Sequence, residues 1–248
     1  LAGKTDESIA HFENYIASYP KGYYIDDALF CLSDSYLKCD SLDRALERMK
    51  LLSDRPKGRY TVPVLEKLAE VTFEHKMYTE SASAFRRLYG FAEDAELRSK
   101  LSKRYVETTI LDGRDDQLLA MADDVDTLKD VEHAVLRKAH HSRAKVYTAQ
   151  GRRDDALQIY RTLSADKSDA VGAEAAYHII RYHFDAAEHD TAEKLVYELA
   201  DSKTQHSYYL GRAFIILGDI YAAKGDAFQA RATYQSIIDG YTPTDDGV

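Results

Sequence analysis

The side chains in this sequence with the means to hold a metal or move a proton are nine histidines, two cysteines and several aspartate runs. Metal ligands must converge, and the histidines do not. His140 and His141 are adjacent and so point about 100° apart on a helix, His178 and His183 are five apart, and no H-E-x-x-H or H-x3-H frame occurs. They read as polar surface or groove side chains. Asp123-Asp124-Val125-Asp126 resembles the opening of a calcium loop but lacks the glycine and the closing glutamate that such a loop needs, and reads as a solvated turn beside a helix. Cys31 and Cys39 fall on one helix with a rise between them of roughly 12 Å, beyond the ~7 Å reach of a disulfide, and are expected as free, partly buried thiols. Neither sits in a nucleophile motif, and no G-x-S-x-G, phosphate-binding loop or dinucleotide fingerprint occurs. The expectation is a non-enzyme with no metal and no cofactor.

The elements that would hold these residues have enough chain to build on: 248 residues with 45% apolar and 30% charged composition suffice for a substantial soluble core. Four prolines, abundant helix formers and no sustained β-branched alternation make the class all-α. A formal charge of -9 repels a phosphate backbone, so nucleic acid is not an expected partner. No apolar run is long enough to span a bilayer.

Self-similarity is the strongest signal. Leu217-Gly218, Tyr221, Gly225, Ala230, Tyr234 and Ile237 set a frame that recurs as Ala144, Tyr147, Gly151, Ala156, Tyr160 and Leu163. It recurs again as Leu32-Ser33, Tyr36, Asp40, Ala45, Met49 and Leu52. The tyrosine slot runs Tyr36, Thr72, Thr109, Tyr147, Phe184, Tyr221, at spacings of 36, 37, 38, 37 and 37. The copy through Val106, Gly113, Leu118 and Ala122 is the most degenerate. Small residues such as Gly218 let one helix of a pair approach the other, where Ala156 or Ala230 offers the matching hollow. Gly151 and Gly225 suit a left-handed helix end, and Asp154 and Asp226 the start of the next helix.

This order of residues resembles the tetratricopeptide repeat family. The resemblance implies an α-α superhelix, a solenoid of about six to seven helix-turn-helix repeats over residues 1–248 as a single domain. The family's opening tryptophan is missing and the period is nearer 37 than 34. Tyr19-Pro20-Lys21-Gly22-Tyr23 and Gly240-Tyr241-Thr242-Pro243 look like the longer repeats of bacterial cell-envelope proteins of the Tol-Pal and outer-membrane assembly type. That likeness points to the periplasm or outer membrane and leaves the cytoplasm open. Asp6 to Tyr19 reads as the second helix of a pair whose first is missing, and Thr244–Val248 is not a capping helix, so a segment of a longer repeat protein is expected.

The resemblance also implies a protein or peptide ligand held along the first helices. Counting faces away from the packed slots gives Asp27, Phe30, Asp34 and Lys38, then Glu66, Glu70 and Glu74, then Lys100 and Lys103. Further along are Lys138, His141 and Lys145, then Tyr177, Arg181 and Asp185, then Arg212, Ile215 and Asp219. This face passes from acidic to basic, and its basic middle would orient acidic peptide segments. The asparagines of the family's carboxylate clamp are missing, since Asn14 alone occurs, and it lies off the face. A substrate-recruiting region of an enzyme whose catalytic domain lies outside this segment is the other function the sequence allows.

Overall fold

The computed structural model describes residues 2–241, with side chains from residue 5 onward, and among them there are thirteen α-helices and no strand. A leading helix α1 (Ala2–Ser18) is followed by the pairs α2 (Ile25–Lys38) and α3 (Leu42–Ser53), and α4 (Thr61–Glu74) and α5 (Tyr78–Tyr89), and then in chain order by α6 (Ala95–Asp112) and α7 (Asp115–Val125). Then come α8 (His133–Ala149) and α9 (Arg153–Leu163), α10 (Ala170–Asp185) and α11 (His189–Asp201), α12 (Ser207–Ala223) and α13 (Ala227–Gly240). The expected all-α repeat of helix-turn-helix pairs is what the chain forms. Pro243 and Thr244–Val248 lie outside the described residues.

The chain, expected as one domain, divides into two compact units: Leu1–Gln117 with Thr127–Glu132, and Leu118–Asp126 with His133–Val248. The division falls in the copy that is most degenerate in sequence. In the first unit the core runs through Leu29, Leu32, Tyr36, Met49, Leu65 and Phe85. In the second, Ile180, Val196, Leu199, Ile216, Leu217 and Ile220 form one cluster, and Ala144, Ala156, Tyr160 and Leu163 belong to another. These are the slots of the sequence frame, because a repeat buries the same face each time it stacks.

The turn inside four of the pairs is built alike. The tyrosine-slot carbonyls of Tyr36, Thr72, Tyr147 and Tyr221 accept the N–H of the residue five further on, Ser41, Met77, Arg152 and Asp226, as in a Schellman cap. The residue between must be left-handed: Asp40, Lys76, Gly151 and Gly225 have φ of 52°, 59°, 74° and 80°. In the fifth pair the bond moves back by one, from Glu188 to His183, with Ala187 at φ 59°. Glycine thus occupies only part of a position that every copy bends the same way. Asp226 caps α13 by accepting from Gln229 N at 3.0 Å, whereas Asp154 sits inside the first turn of α9.

Gly218 is a helix contact as expected. A Cβ there would lie 2.3 Å from the ring of Tyr234 on α13, so the glycine admits that ring. The cysteines are free, but both are exposed, not partly buried: Cys31 projects on the outer side of α2 and Cys39 lies past its end.

Candidate functional site

On the first helices of the first unit, the expected face is a mixture of open and bridged side chains. Phe30 is half-buried because its ring stacks on Tyr60 at 4.6 Å and the Lys67 ammonium sits 5.0 Å above it. Asp34 accepts from Lys67 at 2.6 Å and pairs with Lys38 at 2.9 Å, and these two ammonium groups hold its carboxyl below the usual aspartate value. Asp27 accepts from Tyr60 at 3.0 Å and pairs with Arg59. Glu70 pairs with Arg104 at 3.2 Å, and that guanidinium lies over the rings of Phe73 and Phe85 at 4.5 and 4.6 Å. Glu66, Glu74, Lys100 and Lys103 are exposed. Between α4, α5 and α6 a hollow of about 260 Å³ opens beside Glu66, Glu70 and Lys100.

The second unit gathers its candidates around a residue that the sequence did not single out. Glu174, on α10, keeps a side chain only 15% exposed. Tyr209 donates to it at 2.7 Å from α12. His141 Nε2 lies 3.2 Å away and Lys145 Nζ 3.6 Å away, both from α8, and His178 Nε2 lies 3.6 Å away, one turn along α10. The His141 nitrogen is fully buried and off the line of a good hydrogen bond, so its approach to Glu174 is electrostatic. Burial works against the charge of Glu174, yet the surrounding imidazoles and the Tyr209 hydroxyl hold its carboxyl far below the ordinary glutamate value. Tyr209 is correspondingly raised, by burial and by its bond to Glu174. Tyr160 stacks on His178 at 4.6 Å and 11°, and burial pushes its phenol up to about 12.

Of the other expected residues, Lys138 is exposed near one end of this cluster. Arg181 is exposed and pairs with Asp185 at 2.8 Å, which also lies 3.9 Å from Arg153. Asp219 accepts from Tyr234 at 2.7 Å. Arg212 is exposed and lies 4.3 Å over the ring of Tyr177, while Ile215 is 46% exposed. The expectation that Tyr177 lines an open face is corrected: it is buried, because α12 packs on α10 and brings Tyr209 and Arg212 over its ring. The basic middle expected here is therefore largely matched by its own carboxylates. Lys145 and His141 share Glu174, and Arg181 shares Asp185.

Arg137 also went unread in the sequence. Buried to 7% exposure on α8, it makes a fork to Asp169 with both bonds at 2.8 Å and donates to the carbonyls of Leu163 at 3.0 Å and Asp166 at 3.1 Å. Asp169 in turn caps α10 by accepting from Gly172 N at 2.7 Å. The only sequence signal was an aspartate three residues before a glycine at a helix start; the arginine that completes it is 32 residues away.

Chemically, this face offers charged and aromatic contact surface. Among the described residues no group of three or more His, Cys, Asp or Glu is arranged to hold a metal ion, and no helix is long and apolar enough to cross a membrane. Asp123-Asp124-Val125-Asp126 closes α7 instead of forming a loop: Val125 is buried, and Asp123 and Asp126 pair with Arg143.

A model of the tetratricopeptide repeat family matches residues 208–241, which span α12 and α13. No match was found among curated proteins. Among solved structures, the chain is similar to the nearly identical TPR-like repeats of a Podosopora anserina protein assigned as a kinesin light chain. That similarity has 13% identity and a TM-score of 0.44, covering 74% of this chain and 96% of that one. It is also similar to BtubC (BKLC) from P. vanneervenii, at 14% identity and a TM-score of 0.45, covering 98% of this chain and 92% of that one.

Proposed function

We propose that this chain is a non-catalytic scaffold that binds protein or peptide segments along the exposed sides of its first helices. One observation supports the reading most directly. Glu66, Glu70, Lys103, Lys138, Lys145, Arg181, Arg212 and Ile215 all come from first helices and are all exposed, while the same helices bury their small and apolar slots. A helix pair that has satisfied its packing on one side retains the other as contact surface. Mixed charge on that surface suits orientation and selection of a polypeptide more than raw affinity.

Site-specific photo-cross-linking tests this. A photoreactive amino acid at Lys103 or Ile215 should trap polypeptides from a native lysate. The same group at Leu51 or Gln158, exposed on second helices, should not. Equal trapping at all four positions, or trapping only at the second-helix positions, would overturn the reading.

The narrower assignment to a bacterial cell-envelope assembly is supported by the Tyr19–Tyr23 and Gly240–Pro243 phrases alone. Cell fractionation of the native protein is the measurement that checks it. Recovery with periplasm or outer membrane is the expected result, and recovery in cytosol would remove the assignment.

A further inference from the structure

The hollow on the first unit joins an apolar floor to charged lips. Its floor is apolar, made by Phe85, Leu88, Phe91 and Leu101. Phe85, Leu88 and Leu101 belong to the core beneath, whereas Leu97 stays 41% exposed at the rim, an apolar side chain facing water on the first turns of α6. The two helices that flank the opening present opposite charges. Arg104 and Glu70 neutralise each other at the back, and Arg104 is fixed by the rings on which it lies. That leaves Glu66 on the α4 side and Lys100 on the α6 side, both exposed and neither joined to another charge. At about 260 Å³ the space is smaller than the ~300–1,000 Å³ of sites that enclose a whole small-molecule ligand, so its dimensions fit a single side chain better.

We infer that this hollow is a docking pocket for one leucine- or phenylalanine-sized side chain of a protein partner, carried on a segment with a basic residue toward Glu66 and an acidic residue toward Lys100. The inference rests on the scaffold reading and specifies its chemistry for this unit. The apolar floor supplies the anchoring term, since covering Leu97 and the exposed edge of the floor removes apolar surface from water. The two lips supply direction. A segment laid across the opening in the reverse sense would set like charge against like on both sides, so polarity of the bound chain is determined by two residues.

Fluorescence anisotropy with short synthetic peptides provides the test. The probes carry Leu, Phe or Ser at the centre, and Lys, Glu or Ser on each flank. Leu- and Phe-centred probes with one Lys flank and one Glu flank should bind. Ser-centred probes should bind at least about tenfold more weakly, the range in which loss of a buried anchor falls. Lys100→Glu should shift preference to probes with Lys on both flanks, and Glu66→Lys to probes with Glu on both; both changes are at exposed positions that leave the core untouched. Ala92→Trp, which fills the hollow, should abolish binding of every probe. Binding that is indifferent to Ala92→Trp and to both charge changes would overturn the pocket while leaving the scaffold reading intact. Binding of none of the probes, with cross-linking at Lys103 still productive, would overturn the pocket alone, and loss of both would remove the scaffold reading as well. Self-association abolished by Ala92→Trp would assign the hollow to a second copy of the chain and likewise overturn this inference.

Discussion

Two glycines show how the identity of the obstructing atom sets the cost of a substitution. At Gly218 an added Cβ meets the Tyr234 ring, part of a half-buried side chain that can turn away at the expense of its bond to Asp219. At Gly172 it would lie 1.6 Å from the carbonyl oxygen of Asp166, a backbone atom held in place by Arg137. Gly218→Ala should therefore cost about 1–3 kcal/mol and Gly172→Ala more, with urea melts giving the order. The reverse order would mean that the Asp166 turn yields more readily than the helix contact. Glu174 carries the pH dependence at this scale. Its carboxyl is held below its ordinary value of 4.5, so the folded state binds fewer protons there than the unfolded chain does. Its contribution is complete above that value and is lost as pH falls toward the folded one. Glu174→Gln should cost about 1–3 kcal/mol near neutral pH, where the charge-assisted bond from Tyr209 is weakened and the nearby imidazoles and Lys145 lose the charge they face. The gap between variant and parent should narrow at pH about 3. A gap that stays constant with pH would show that Glu174 acts by shape and not by charge.

At the scale of elements, the left-handed residue that ends each first helix is where sequence and conformation disagree. Ala187 and Lys76 adopt the same left-handed region as the glycines without glycine's freedom from a Cβ clash. Ala187→Gly should stabilise the protein by about 0.5–1 kcal/mol, and Gly225→Ala should destabilise it by a similar or larger amount, both read from denaturant midpoints. If Ala187→Gly proves destabilising, the entropy that glycine returns to the unfolded chain outweighs the strain. The cap was legible where the residue was glycine and illegible at Ala187, because an alanine has no reason of its own to be left-handed. There the bond from Glu188 to His183 imposes the conformation. Phe184 fills the tyrosine slot by packing against the core, while His183, one residue earlier, supplies the carbonyl that closes this turn.

Within each unit, stability is held in contacts between successive helices, so damage should spread to neighbouring helices of the same unit and fade with distance along the chain. Arg137 joins α8 to the turn before α10 through a fork and two carbonyl bonds that a lysine cannot reproduce. Arg137→Lys should therefore lower hydrogen-exchange protection in α8, α9 and α10, with little change in α2 to α5. Uniform loss across both units would show that the chain unfolds as one cooperative block. The sequence by itself determined the helical class, the period, the buried slots and the glycine caps, because each depends on residues within one helix pair and on a pattern that every pair repeats. Only the tertiary structure decided that Tyr177 is covered, that Glu174 and Arg137 are hubs, and that a hollow opens among α4, α5 and α6. Asp169, which Arg137 grips, and Tyr209, which bonds Glu174, lie 32 and 35 residues from them along the chain. Periodicity says which side of a helix is apolar, but the angle at which the next pair packs determines which polar side chains meet.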